Sequence, residues 1–163
     1  MNLPDRLALT RALHVAAVVL WIGGVAFVTT VLLPAIRRMA KPAERLDLFE
    51  RIERRFAWQA RVTTIVAGAT GFLLLDGLNG WQRYRMASFW WIHAMTLVWV
   101  LFTLMLFVLE PLVLHRWFRT RADEDPEGTF ALIQRMHWVL LTMSIVTVLG
   151  AVAGSHGFVA FGG

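Results

Sequence analysis

The run from Ala12 to Ile36 has no charged residue between Arg11 and Arg37, and one histidine, His14, near its start. About 20 apolar residues span the ~30 Å hydrocarbon core of a bilayer as a helix, so this stretch has the length and polarity of a membrane crossing. It is also too long for the ~7–15-residue apolar core of a cleavable signal, and it reads as a retained helix. Three further runs follow. Together they predict spans at about 10–34, 58–78, 88–113 and 133–159. Continuous apolar runs exclude a β-barrel, whose strands alternate. The fold class is therefore all-α, an integral membrane antiparallel four-helix bundle formed by residues 1–163 as one domain. Composition agrees: 58% of residues are hydrophobic and only 17% charged, with a mean hydropathy of +0.59, against about 45–50% and about 25% in soluble domains.

The connecting segments are as informative as the spans. Pro34 and the Glu110-Pro111 pair close the first and third apolar runs. Pro42 opens a segment of mixed charge, residues 43–57, that reads as an interfacial amphipathic helix. The Asp-Gly and Asn-Gly pairs of "DGLNGW" mark a turn, and "RTRADEDPEGT" reads as a solvated loop. Arg61 blurs the start of the second span and is expected to snorkel to the interface. Asp76 is expected at a helix end, and Glu110 is expected to pair with a basic neighbour such as Arg116. Twelve of the 16 basic residues fall on the first and third loops and the helix ends beside them, and Arg6, Arg11, Arg83 and Arg85 fall on the other side. The positive-inside rule then places both termini outside, in the periplasm if the source is Gram-negative, with the chain in the inner (plasma) membrane. The net charge of +5 reports orientation and contact with the lipid bilayer, not nucleic-acid binding.

The chain has no cysteine, which excludes disulfides, iron–sulfur clusters and thiolate chemistry. Five histidines and seven methionines are the remaining borderline or soft metal ligands. His14, His93 and His156 fall near the outer ends of their helices, and His115 and His137 near the opposite ends. His93 and His115 are 22 residues apart in sequence, ~33 Å along a helix, so one cofactor cannot touch both. Ionisable groups within spans usually face a bundle interior or a cofactor. Two imidazoles at equal depth suit bis-histidine ligation of haem b. His14 and His93 are the candidate pair, with His137 a second ligand or part of a quinone or proton site. Trp21 shares the face of His14, Gly24 lies at its edge and Gly23 opposite. Gly23, Gly24, Gly68 and Gly71 are expected to make room for the ring, and Arg11, Arg83 or Arg85 to pair with propionates. A copper site would instead use His14, His93 and His156 with Met95 or Met86. The plain alternatives are interfacial histidines, small-residue helix packing and an aromatic belt, the last preferred for every tryptophan except Trp21 and Trp99.

The stretch "LHVAAVVLWIGGVAFVTTVLLP" resembles the opening of the copper resistance D (CopD) family of integral membrane proteins, in Leu13, His14, Trp21, Gly23, Gly24, Phe27, Leu33 and Pro34. The segments "FERIERRFAWQARVTTIVAGATGFLLL" and "WIHAMTLVWVLFTLMLFVLEPL" look like that family's second and third helices. The opening is also similar to the HemJ-type protoporphyrinogen oxidases, which carry a His-Gly in the third helix that this chain lacks. The resemblance implies a membrane haem or copper protein. Three functions follow as expectations: a small b-type cytochrome with a redox role, a copper-binding or transport protein, and a non-catalytic membrane subunit. The partners these allow are a quinone, a redox protein or further copies in a homo-oligomer. No nucleotide loop is present, and catalytic residues are not assigned.

Overall fold

The structure, a computed structural model, describes residues 2–158. Among them the chain is helical with no strand. Helix α1, Leu3–Phe27, starts where the Asn2 side chain accepts the Asp5 N–H at 3.0 Å, which satisfies one of the free donors of the first turn. It continues through a π-helical turn, Val28–Leu32, into α2, Leu33–Met39. Helix α3 is Pro42–Gly77. After short 3₁₀ turns at Gly80–Arg85 and Ala87–Phe89, α4, Trp90–Leu104, runs through a second π-helical stretch, Met105–Leu114, into α5, His115–Glu124. Helix α6 is Pro126–Ser155. Val159, the last residue of the expected fourth span, lies outside the described residues.

Three continuous rods are long and apolar enough to cross a membrane: Leu3–Met39, Ala87–Glu124 and Pro126–Ser155. The fourth rod, α3, joins the expected interfacial segment and second span into one 36-residue helix, and its charged first half keeps its mean composition polar. Its chain direction follows from side-chain register. Leu7 meets Gly77, His14 meets Gly71, and Phe56 covers Gly24, so α1 and α3 are antiparallel. Trp99 meets Thr64 and Arg61 meets Glu110, so α3 and α4 are antiparallel. Trp90 meets Gly150, while Phe118 packs on the cluster of Phe130 and Ile133, so the rod Ala87–Glu124 and α6 are antiparallel.

Neither proline ends its rod as the sequence suggests. A π-helix bonds each N–H to the carbonyl five residues back, and Leu33 N–H reaches Val28 O in that register. The extra residue per turn lets the helix pass Pro34, which has no N–H to give. The same device carries the chain past Pro111. The expected loop 119–129 is also mostly helical. Arg, Ala and Glu are good helix formers. The break narrows to Asp125, whose side chain accepts the Gly128 N–H at 2.9 Å and caps α6. The "DGLNGW" turn does form, with Asn79 in the left-handed region at φ 50°.

Hydroxylated and small residues share the interior with an apolar core. Thr29, Thr64, Thr129 and Ser144 are fully enclosed, with Ala57, Ala60 and Ala67 beside them. Large apolar side chains such as Val19, Leu73, Leu97 and Leu149 point outward, each about 60% exposed or more. Buried hydroxyl and small residues at helix contacts, with many large apolar side chains left on the outside, suit helices packed in lipid. The glycine notches fit the same packing. A Cβ on Gly68, Gly150 or Gly154 would lie 2.1–2.5 Å from the indoles of Trp99, Trp90 and Trp91 respectively. Trp90 and Trp91 are therefore packed against α6.

Candidate functional site

The end of the molecule carrying Arg37, Arg38 and Arg119 is called the basic end below. A cavity of about 420 Å³ lies there, within the ~300–1,000 Å³ range of ligand pockets. Helix α3 presents Glu50, Glu53, Ala57, Ala60 and Arg61 to it, a spacing that keeps them on one face. The π-helical stretch supplies Met105, Leu106 and Glu110, α5 supplies His115, and α6 supplies Met136 and His137. Phe49, Phe56, Phe102 and Phe118 complete apolar walls.

Arg61 organises this site, and it does not snorkel. Its Nη2 donates to Glu110 Oε1 at 2.9 Å, and its Nε donates to the Leu106 carbonyl at 3.2 Å. In π register the carbonyl left free by Pro111 is that of the residue five before it, which is Leu106. The guanidinium thus satisfies the acceptor that the proline orphans and the carboxylate beside it. This corrects the expected pairing of Glu110 with Arg116. The partner is 49 positions away in sequence, and only antiparallel docking of α3 brings it near.

Around that pair the charges alternate. Glu50 bonds Arg119 and lies 3.4 Å from His115 Nδ1. Arg119 also reaches Asp47 at 3.4 Å. Glu53, in the charged half of α3, has no hydrogen bond among the described residues. Burial pushes its carboxyl up to about 7, the carboxylates of Glu110 and Glu50 push the same way, and Arg61 opposes them. Between about 4.5 and about 7 the folded chain keeps a proton at Glu53 that the unfolded chain releases. Stability contributed by this group is full below that window and is lost as pH rises through it. The thermal midpoint in detergent is expected to fall across the window, and Glu53→Gln is expected to flatten the profile. An unchanged slope in Glu53→Gln would assign the effect to another group.

The residues singled out from sequence are distributed over separate places. His137 lies in the cavity wall. Its Nδ1–H donates to Ile133 O at 2.9 Å, and its ring meets Phe49 edge-on at 5.8 Å. Because a carbonyl only accepts, the proton is assigned to Nδ1 and Nε2 keeps its lone pair. His14, half-buried, donates from Nδ1 to Ala67 O at 3.0 Å, with Thr70 Oγ1 also at 3.0 Å. His93 is exposed and donates from Nε2 to Tyr84 O at 3.0 Å. Among the described residues no hydrogen bond or ring contact joins the two imidazoles. His156 is exposed and bonded to its own helix at Val152 O, 2.8 Å. Among the described residues no group of three or more His, Asp or Glu side chains is disposed to hold a metal ion.

Trp21 is 4% exposed and meets Phe102 edge-on at 4.9 Å. Its Nε1–H has no acceptor among the described residues. Arg11 is exposed at the far end. The space expected beside the glycines is taken by the protein's own rings: Phe56 covers Gly24, Trp99 covers Gly68 and His14 lies against Gly71. Gly23 faces open space. The observed slots therefore do not receive a porphyrin ring beside His14. The cavity wall around His137 combines an imidazole nitrogen without a partner among the described residues, two thioethers, phenylalanine rings and Arg54.

No family model, curated protein or solved structure matches the chain.

Proposed function

We propose that this chain is a membrane redox protein of the b-type cytochrome kind that holds haem b in the basic-end cavity, with His137 as an axial ligand. The observation that carries this is the His137 imidazole, anchored to Ile133 O through Nδ1 with Nε2 unpartnered in an aromatic-walled cavity. Metal-ligating histidines usually donate their second N–H to a carbonyl or carboxylate in this way, which fixes the tautomer and the ring. His115, Met105 and Met136 line the same cavity and include the side-chain types that serve as second axial ligands. Arg54, in the same lining and without an ion pair among the described residues, suits a propionate carboxylate. Haem b, when bound, supplies a one-electron couple tuned by its axial ligands and surroundings. The chain's own residues orient His137, exclude lipid with four phenylalanines, and hold an exchangeable proton at Glu53. The resemblance of the opening segment to the CopD family supports a metal or haem role, although it draws attention to His14.

The proposal includes a fourth crossing by the second half of α3, residues 58–77. Of the two charges there, Asp76 lies at the helix end and Arg61 is turned inward onto Glu110, and a paired, inward-facing charge is the tolerated form within a membrane. With four crossings, the positive-inside rule puts the basic end in the cytoplasm and both termini outside the inner membrane.

The test is spectroscopic. Protein purified from haem-replete cells is expected to show a Soret band and, on reduction, split α and β bands. His137→Ala is expected to remove them and His14→Ala to keep them. Colourless wild-type protein overturns the proposal, and loss of the bands in His14→Ala with retention in His137→Ala moves the site to the outer half. Copper is the second reading, favoured by the Met105 and Met136 thioethers beside His115 and His137. Metal analysis of the same preparation separates iron from copper.

A further inference from the structure

A second concavity, of about 600 Å³, lies on the outside of the molecule between α1 and α3. One wall is apolar and comes from Gly24, Phe27, Val28 and Leu32. The opposite wall is α3, with Ile52 and Phe56 within the groove and Arg51 and Arg55 alongside. Gln59 crosses its inner limit and donates to Leu20 O at 3.4 Å. The groove is thus apolar in depth and cationic toward the basic end.

The cations at this end fall into two groups, and Arg51 and Arg55, like Arg38, Arg54, Arg116 and Arg135, belong to the one without a carboxylate partner among the described residues. Arg45 pairs with Glu127, Arg61 with Glu110, and Arg119 with Glu50 and Asp47. Arg51 and Arg55 are both exposed, and among the described residues neither has an ion pair or hydrogen bond. Four residues apart on a helix, they share one face. Two free guanidiniums beside an apolar trough fit a phosphodiester attached to an acyl chain. The planar forks match phosphate oxygens, and the trough takes hydrocarbon that would otherwise lie against a rough helix surface. A soluble anion would use the arginines and leave the trough empty. An apolar peptide would use the trough and leave two guanidiniums unmatched.

We propose that the groove between α1 and α3 is a binding site for an anionic phospholipid, with the phosphate on Arg51 and Arg55 and one acyl chain between Phe27 and Ile52. The site rests on the basic end lying at a membrane surface and is independent of haem at His137. It ties the first rod to the helix that carries Arg61 and Glu53. Bound lipid is therefore expected to stabilise the α1–α3 pair.

The test uses the full chain in a neutral maltoside detergent, titrated separately with phosphatidylglycerol, phosphatidylcholine and glycerol 3-phosphate, with thermal stability and native mass spectrometry as readouts. Phosphatidylglycerol is expected to raise the melting midpoint and to remain as a bound lipid, with on the order of tenfold preference over phosphatidylcholine. Glycerol 3-phosphate is expected to have no effect. The double variant Arg51→Gln/Arg55→Gln is expected to lose the preference. Ile52→Trp, at an exposed groove position, is expected to fill the trough and lose lipid while keeping both charges. Arg38→Gln, at the same end but outside the groove, is expected to behave as wild type. Equal stabilisation by phosphatidylcholine, an equal effect of glycerol 3-phosphate, retention in the double arginine variant, or an equal loss in Arg38→Gln would each overturn the site.

Discussion

Arg61→Met is expected to lower the stability of the folded chain by about 3 kcal/mol, the lower end of the ~3–5 kcal/mol measured when one member of a buried pair is removed. Two losses combine. Glu110 loses its partner at 2.9 Å, and Leu106 O loses the donor that replaced the missing Pro111 N–H. An unsatisfied buried acceptor alone costs about 1–3 kcal/mol. Arg61 and Glu110 are each 29% exposed at the side chain, so water from the cavity softens the charge term and the lower figure applies. The double variant Arg61→Met/Glu110→Met is expected to recover part of the loss, because it removes the uncompensated carboxylate while Leu106 O remains unpaired. Equilibrium unfolding in detergent with urea or sodium dodecyl sulfate reads the cycle. Strict additivity of the two single variants would show that the pair is not coupled.

Glycine substitutions are expected to divide by sign. A Cβ on Gly68 would lie 2.5 Å from Trp99 Nε1. That indole has little freedom to withdraw, because Nε1–H donates to Thr64 O at 2.9 Å and Phe72 meets the ring edge-on at 5.6 Å. Gly68→Ala is therefore expected to cost about 2–3 kcal/mol, combining overpacking with a strained or broken hydrogen bond. Gly23→Ala meets nothing within 4 Å and is expected to gain about 0.5–1 kcal/mol from reduced chain entropy in a helix interior. Trp99→Phe in the Gly68→Ala background relieves the clash and is expected to restore part of the loss. Thermal midpoints of the four proteins measure all three effects. A Gly68→Ala protein as stable as wild type would mean that Trp99 moves at no cost.

Both results concern contacts that sequence reading did not reach. Arg61 looks like a snorkelling residue because its own neighbours are apolar and the interface is close. Its partner is set by an antiparallel register, and by a π-helical stretch that leaves Leu106 O without a donor. The combination of Glu110-Pro111 inside an apolar run with a lone arginine at matching depth in another run was the available signal. Small residues in a span allow either close packing or room for a ligand, and the sequence leaves both open for the glycines. Phe56, Trp99 and His14 occupy the notches at Gly24, Gly68 and Gly71, and a one-dimensional pattern does not say which ring enters which notch. The expected helix ends at Pro34 and Pro111 failed for a related reason. A missing N–H ends an α-helix only if the register is kept, and a π turn changes the register.

The apolar stretches of three rods and the turn at Asn79 were legible in the sequence, because they follow from local quantities: the length of uncharged apolar runs and turn chemistry. The absence of cysteine likewise leaves histidine and methionine as the borderline or soft metal ligands of the chain. Only the tertiary structure decided which side chains meet. His14 is committed to the backbone of α3, His93 to Tyr84, and the titratable cluster assembles at the other end around Arg61 and His137. Contacts between residues tens of positions apart depend on the rotation and offset of packed helices, and hydropathy constrains neither.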